Sequence, residues 1–267
     1  MNNIEQLAEA ISYITPLNYI SGRIVEYDIA SANINILYKY NMIDDRYYNY
    51  LKSLPKINRE IEIGKLIRSN GNYYNIIKEG ITNAKKNLLI SNKVDINSIV
   101  RIANDAVYIN SSSDLQFTTF DNIEFKKKSI SSCMIKLNKL LIFFLYNQDG
   151  MNLDVKGINE NNQLLHSEYM LSFIAETIYI LERVSVEDAL KFITNFYEDY
   201  INLKLPVGYY RELNSDSMFN FKNCNFYLST VNEKDINLLD INYNLYIIRE
   251  LWNIVLDVYN IKIRRSW

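Results

Sequence analysis

The feature that most constrains the fold is a change in hydrophobic periodicity near residue 160. In the first part of the chain, short β-branched runs with two-residue alternation, typical of strands, are mixed with amphipathic helical segments. An Asn-rich segment, residues 159–163, follows, and beyond it apolar residues recur at helical spacing. The sequence therefore predicts an α+β region with antiparallel strands, followed by a mainly helical region.

Composition indicates a globular protein and excludes several kinds of site. The chain has 267 residues, of which 48% are hydrophobic and 22% are charged, so it can bury a full core. Because His166 is the only histidine and Cys133 and Cys224 are the only cysteines, the chain lacks the four Cys and His ligands of a zinc cluster. The net charge of −2 argues against a generally basic surface, but a local basic groove stays open. Without a signal peptide or a long apolar run, we expect a cytoplasmic protein and no membrane partner.

Five helices are predicted in the first part from helical spacing and end signals. Asp44 or Asp45 is a predicted N-cap. Ile57 and Ile61 are predicted to face inward, and Lys85 is predicted to face solvent. The segments are Ile4–Ile14, Ser31–Tyr40, Asp44 to about Leu51, Lys56–Arg68 and Tyr73–Leu89.

One stretch, Arg23–Ser31, predicts a strand that ends on a carboxylate and turns into a helix. Asp28 would lie at the end of the strand, and Ser31 would stand where the helix begins. A carboxylate is a hard oxygen ligand suited to Mg²⁺. An Asp before a helix is more often a cap or turn residue, so Asp28 alone does not establish a metal site.

A second stretch, Ile99–Ile109, raises the significance of Asp28. Two β-branched runs flank a tight turn that contains Asn104 and Asp105, which predicts a hairpin with a carboxylate at its tip. If the fold brings Asp28 and Asp105 together, the two carboxylates can hold one or two metal ions for phosphoryl transfer.

The remaining chain predicts strands first and helices afterwards. Ser185 opens a capping box, which predicts a helix that ends before Pro206. Further strands are predicted at Leu115–Phe120, Asn122–Phe125, Cys133–Leu137, Leu140–Tyr146, Leu153–Ile158, Tyr209–Leu213 and Asn225–Ser229, and further helices at Ser167–Leu181 and Tyr243–Tyr259.

Taken in order, these stretches resemble the palm and thumb of the family B DNA polymerases. The segment Asp28–Ile36 resembles the first palm motif, D-x-x-S-L-Y-P-S-I, with its Asp and Ser in place. Gly80–Tyr108 is similar to the helix and hairpin that carry the second catalytic Asp. Glu124–Ser129 resembles the K-K-x-Y segment, Leu153–Ile158 the V-K-G strand, and Ser167–Pro206 the thumb helices.

The resemblance implies a polymerase-like palm with an antiparallel sheet and packed helices over residues 1–160. Reduced fingers would occupy residues 44–92, and a thumb-like helical subdomain with a C-terminal tail would occupy residues 161–267. No exonuclease domain is implied. The implied partners are a primer-template, expected to be DNA, a nucleoside triphosphate, and a second polymerase chain that supplies fingers or exonuclease. The A/T-rich codons of Asn, Ile, Lys and Tyr suggest a viral source.

The resemblance also implies a set of site residues, with Mg²⁺ or Mn²⁺ as the cofactor. Asp28 and Asp105 would be catalytic and would ligate the metal. The implied nucleotide-binding residues are Ser31, Asn33 and Lys65, and the implied nucleic-acid-binding residues are Lys126, Lys127, Lys128 and Lys156, with Lys136 and Lys139 beside them.

Departures from the family's pattern leave alternatives open. Asn33 stands where the family has the tyrosine that excludes a ribose, and the D-T-D turn is reduced to Ala103-Asn104-Asp105. The chain is therefore either a template-directed nucleotidyltransferase or an inactive, polymerase-derived subunit that binds nucleic acid or assembles a viral complex. An α+β protein with chance similarity is a third reading. The three consecutive lysines also fit a solvated strand end.

Overall fold

A computed structural model describes residues 4–10, 12–137, 140–147, 150–156, 169–210 and 238–265. The fold is mixed α+β, as predicted, with antiparallel strands. The chain divides into two compact units. The first unit comprises Met1–Leu17 and Ser21–Cys133, and the second comprises Asn18–Ile20 and Met134–Trp267. The predicted boundary near residue 160 lies outside the described residues and stays a prediction.

The first unit contains five α-helices, the 3₁₀ turn Ile96–Ser98 and the strands β1 to β6 within its described residues. Two of these strands, β2 and β6, also contribute residues to the second unit. The helices are α1 (Ile4–Glu9), α2 (Ala32–Lys39), α3 (Asp45–Ser53), α4 (Lys56–Ser69) and α5 (Asn72–Ser91), and the strands are β1 (Tyr13–Ile14), β2 (Tyr19–Ile29), β3 (Ile99–Ile102), β4 (Ala106–Asn110), β5 (Thr119–Phe120) and β6 (Ile123–Leu137).

The sheet of the first unit has the order β1-β3-β4-β2-β6, with β5 paired to β6. Strand β4 lies antiparallel to both β3 and β2, and Asp28 of β2 is opposite Ala106 of β4. The β3–β4 hairpin therefore places its turn beside the C-terminal end of β2.

One face of this sheet is apolar and is covered by helices. Val25, Tyr27 and Ile29 alternate along β2, and all three are buried in a core that includes residues of α1, α2, α3 and α5. Because side chains of a strand alternate between the faces, Glu26 and Asp28 lie on the opposite face. The two-residue period thus separates core from polar positions within one strand.

Several local predictions in this unit are confirmed. Helix α2 follows β2 directly, and the β3–β4 hairpin has Asp105 in its turn. The Asp44 side chain accepts a hydrogen bond from the Tyr47 backbone N–H at 2.7 Å, so Asp44 caps α3. The predicted turn at Asp121 and Asn122 joins β5 to β6.

Three predictions in this unit are wrong. The first helix ends at Glu9, and Tyr13–Ile14 forms β1 instead, because it pairs with β3. Ile57 and Ile61 are 75% and 53% exposed, since the residue of α4 that is fully buried is Ile63. Lys85 is only 2% exposed, because it lies four residues after Ile81, in the buried stripe of α5.

Besides Asn18–Ile20, the described part of the second unit contains the end of β6 and a hairpin, followed by helices. Ser185 caps its helix through the Asp188 backbone N–H, as predicted. Tyr209, predicted to lie in a strand, lies in a 3₁₀ turn after Pro206, whereas residues 211–213 and 225–229 are outside the described residues. The elements are β7 (Leu140–Asn147), β8 (Gly150–Lys156), α6 (Met170–Arg183), α7 (Val186–Ile201), the 3₁₀ turn Val207–Tyr210 and α8 (Leu238–Arg265).

Candidate functional site

The first unit brings Asp28 and Asp105 together at the C-terminal end of β2. The Ile29 N–H donates to the backbone carbonyl of Asp105 at 3.0 Å, which ties the end of β2 to the hairpin turn. On the other side of β2, the Ala30 N–H donates to the Glu124 carbonyl at 2.9 Å. Backbone hydrogen bonds on both sides therefore fix the position from which Asp28 projects.

The carboxylate of Asp28 is held in an unfavourable environment for a negative charge. Burial raises its pKa, and the neighbouring charges of Asp105 and Glu26 raise it further, whereas Lys128 acts in the opposite direction. The Asp28 side chain keeps 27% of its surface exposed, yet its Oδ1 atom is buried and has no hydrogen-bond partner in the protein. A buried carboxylate oxygen without a partner is costly, and a bound cation would satisfy it.

Glu26 lies two residues before Asp28 and is part of the same charged face. Its side chain is 4% exposed. Glu26 Oε1 accepts from the Tyr108 hydroxyl at 2.9 Å, and Oε2 accepts from Ser129 Oγ at 2.7 Å. Lys128 Nζ lies 3.5 Å from Glu26 Oε1 and 3.4 Å from Asp28 Oδ2. Residues of three adjacent strands thus form a connected polar cluster.

The four predicted lysines have different partners. Lys128 contacts Glu26 and Asp28, Lys127 Nζ lies 2.6 Å from Asp114, and Lys126 Nζ lies 4.0 Å from Glu124. Lys156, in the second unit, pairs with Asp154 at 2.8 Å. Lys136 lies on β6, and Lys139 is outside the described residues. The three consecutive lysines therefore have different partners, and only Lys128 contacts Asp28.

The predicted nucleotide-binding residues are only partly brought together. Ser31 precedes α2 in a left-handed conformation (φ 46°) and makes no side-chain capping bond, and Asn33 Nδ2 donates to Glu60 Oε2 at 2.9 Å. Lys65 is paired with Glu62 at 2.7 Å. Asn33 lines a cavity of about 230 Å³, whose other lining residues include Lys78, Thr82, Lys85 and Asn104.

Lys85, a lysine that is almost fully buried, is one of the residues that line this cavity. Its Nζ donates to the Ala10 carbonyl at 3.1 Å, and burial lowers its pKa to about 8, against the opposing effect of Asp105. Lys78, Thr82 and Lys85 follow one another at helical spacing on α5, so one side of that helix lines the cavity. Two ammonium groups and two amides are suited to the oxygens of a phosphorylated ligand.

Comparison with known proteins gives a family but no activity. The family model described as the bacteriophage PBS1 gene 130 protein matches residues 4–257. The chain belongs to the PBS1 gene 130 protein family. A search of the curated proteins found no match. The family description agrees with the viral source inferred from composition and says nothing of catalysis. Within the described part of this family member, no helix is long and apolar enough to cross a membrane.

The side chains at the site of this PBS1 gene 130 family member determine which divalent metal it fits. Among the described residues, no group of three or more His, Cys, Asp or Glu side chains is arranged to hold a metal ion. Mg²⁺ does not need such a group, because it is commonly bound by one or two carboxylates together with waters and substrate phosphates. Asp28, whose Oδ1 has no partner, and the neighbouring Asp105 fit that pattern.

Sequence reasoning missed several residues of the site in this PBS1 gene 130 family member. Glu26 had a usable signal, since it is two residues from Asp28 on a predicted strand and must share its face. Tyr108 and Lys85 had no such signal. The contact of Tyr108 with Glu26 depends on the β2–β4 register, and the charge of Lys85 predicts solvent exposure although the side chain is buried.

Proposed function

We propose that the protein is a template-directed nucleotidyltransferase, either a small polymerase-like enzyme or one part of a split polymerase. The observation that carries the proposal is the juxtaposition of Asp28 and Asp105 at the end of β2. There the two carboxylates interact, and a buried oxygen of Asp28 lacks a partner. Strand β2 and the later β3–β4 hairpin bring the two acids close together at the end of β2, which supports the palm-like interpretation.

In this proposal each group of residues has a physical task. Asp28 and Asp105 hold Mg²⁺ or Mn²⁺, which when bound would activate the attacking hydroxyl and neutralise charge on the phosphates. The cavity lined by Asn33, Lys78 and Lys85 accepts the triphosphate of the incoming nucleotide. Lys126 and Lys127 contribute salt-sensitive contacts to the duplex backbone. The protein's part in the reaction is positioning and electrostatic stabilisation.

The proposal is tested by extension of a labelled DNA primer-template with Mg²⁺ or Mn²⁺. Asp28→Asn and Asp105→Asn should each reduce extension by about a hundredfold or more, because each removes a metal ligand. Asp121→Asn is the matched control, since Asp121 is exposed and pairs with Lys39, so extension should persist. If the chain extends no primer with either metal, alone or with a second polymerase chain, the catalytic proposal is wrong.

A second candidate function is an inactive, polymerase-derived subunit that binds nucleic acid or assembles a viral replication or transcription complex. Two observations favour it. Lys128 already lies against Asp28, and the hairpin turn keeps a single carboxylate because Asn104 precedes Asp105. For such a subunit, primer-template affinity should survive Asp28→Asn and should fall steeply with added salt. Replacing Lys126 and Lys127 with Ala should weaken the primer-template affinity. Absence of any nucleic-acid binding would contradict both functions.

A further inference from the structure

Lys128 belongs to the acidic cluster by its contacts. Its Nζ lies 3.4 Å from Asp28 Oδ2 and 3.5 Å from Glu26 Oε1. Although partial burial acts to lower the pKa of Lys128, the carboxylates of Glu26 and Asp28 raise it overall. Its neighbours on β6 are used differently, since Lys127 pairs with Asp114 and Lys126 lies near Glu124. The ammonium of Lys128 is therefore a local counter-charge for this cluster.

Glu26 is the anchor that keeps this counter-charge in place. Both of its carboxylate oxygens accept hydrogen bonds, one from Tyr108 on β4 and one from Ser129 on β6, so its orientation is fixed from two sides. Its side chain is almost fully buried. A buried carboxylate without a cation is strongly unfavourable, so the fold favours conformations in which Lys128 stays beside Glu26.

The two oxygens of Asp28 consequently differ. Oδ2 faces the ammonium of Lys128, whereas Oδ1 is buried and has no hydrogen-bond partner. We propose that Glu26 and Lys128 act as a positioning pair that occupies Asp28 Oδ2, leaves Oδ1 for a divalent cation, and limits the affinity of the site for that cation. This inference rests on the proposed function and adds a control of its metal affinity.

The expected size of the effect follows from the geometry. The ammonium and the metal ion repel one another and seek the same carboxylate, so removal of the ammonium should tighten metal binding. Because the Lys128 side chain is 58% exposed, solvent weakens the interaction. An exposed pair of this kind corresponds to a change in affinity of about twofold to fivefold rather than several hundredfold.

The test is calorimetric titration of the full chain with Mn²⁺ and with Mg²⁺. Lys128→Met should bind the metal about twofold to fivefold more tightly than the unmodified chain, and Lys128→Arg, which keeps the charge, should restore the original affinity. Lys126→Met is the matched control, because Lys126 is an exposed lysine on the same strand without a contact to Asp28, and its affinity should not change. Asp28→Asn should remove the binding.

A second measurement uses the unmodified chain. The side-chain ¹³Cε resonance of Lys128 should shift during the metal titration with the same midpoint as the calorimetric curve, whereas that of Lys126 should not. If Asp28→Asn removes binding but Lys128→Met leaves the affinity unchanged or weaker, the inference is overturned and the metal site stands. If the unmodified chain binds neither metal, the proposed function fails and this inference fails with it.

Discussion

The two faces of the sheet in the first unit have opposite physical characters, although they are built from the same strands. On one face, Val25, Tyr27 and Ile29 pack into a helix-covered core. On the other face, Glu26, Asp28 and Lys128 form a cluster of charges. Strand β2 contributes to both through alternate residues, so neighbouring residues belong to different environments.

The comparison shows where stability and function are separated in this chain. The covered face buries apolar surface, which stabilises the fold in proportion to its area. The charged face places carboxylates close together with one oxygen unsatisfied, which has no stabilising purpose by itself. Structures retain such unfavourable arrangements mainly at functional sites. The charged face is therefore where ligand binding is expected.

The largest effect on stability is expected from Ile29→Ala on the covered face. Ile29 is 3% exposed, so its truncation removes buried contacts and leaves a cavity, at a cost of about 2–5 kcal/mol. Both tryptophans, Trp252 and Trp267, lie in the second unit, so urea unfolding is best followed by circular dichroism and by hydrogen exchange of the β2 amides. Ile57→Ala is the control, because Ile57 is 75% exposed and should change stability by less than about 0.5 kcal/mol.

The next prediction concerns Lys85, a charge placed among the helices of the covered face. Burial lowers its pKa to about 8, so at higher pH the unfolded chain binds more protons than the folded chain. The contribution of Lys85 to stability therefore rises with pH between the folded and the unfolded pKa values. Relative to Lys85→Met, the unmodified chain should gain on the order of 2 kcal/mol from about pH 7 to about pH 10.

The measurement for Lys85 is urea unfolding of both chains across that pH range. Taking the difference between the chains cancels the titration of all other groups. Lys85→Met also loses the hydrogen bond to the Ala10 carbonyl, so the change of the difference with pH, rather than its size at one pH, reports the titration of Lys85. A difference that does not vary with pH would show that Lys85 is not desolvated as its 2% exposure indicates.

Effects of comparable or smaller size are expected from two glycines in the helices of the same unit. A Cβ added at Gly80 of α5 would lie 2.4 Å from Ile36 Cγ2, whereas one added at Gly64 of α4 would meet nothing within 4 Å. Gly80→Ala should therefore destabilise the chain by about 1–3 kcal/mol through overpacking. Gly64→Ala should stabilise it by about 0.5–1 kcal/mol, because alanine favours helix. Equal melting temperatures for the two variants would contradict the packing of α5 against α2.

These positions also show what the sequence could predict. The strand that delivers Asp28, the Asp44 cap and the hairpin around Asp105 follow from local chemistry, and all three are confirmed. The inward direction of Ile57 and Ile61 was wrong, because helical spacing gives a stripe but not the element that covers it. The predicted solvent exposure of Lys85 was wrong for a related reason. A charged residue is expected at the surface, but the position of Lys85 on α5 lies in the buried stripe of the helix.

The candidate site was predictable in part. That Asp28 ends a strand and Asp105 occupies a turn was readable from residue types, but their proximity depends on the β2–β4 register, which is a tertiary property. The roles of Glu26, Tyr108 and Ser129 depend on three strands meeting, so no single stretch contains the signal. The assignment of catalysis rests on the resemblance to the family B DNA polymerases and stays a prediction.

The smallest effect, and the sharpest contrast with Ile29, is expected from Asp28→Asn. In the folded chain the pKa of Asp28 is raised, mainly by burial and by Asp105. The folded state therefore favours the protonated side chain at low pH, and this contribution to stability is lost as pH rises through the folded pKa. Asparagine does not ionise and avoids that loss. Near neutral pH the variant should therefore melt at the same temperature or about 1–2 °C higher. Added Mg²⁺ at about ten times its Kd should raise the melting temperature of the unmodified chain by roughly 2–4 °C and should leave the variant unchanged. A variant that melts lower, as Ile29→Ala should, would mean that Asp28 makes a structural contact, and the charged face would then be an extension of the core rather than a binding surface.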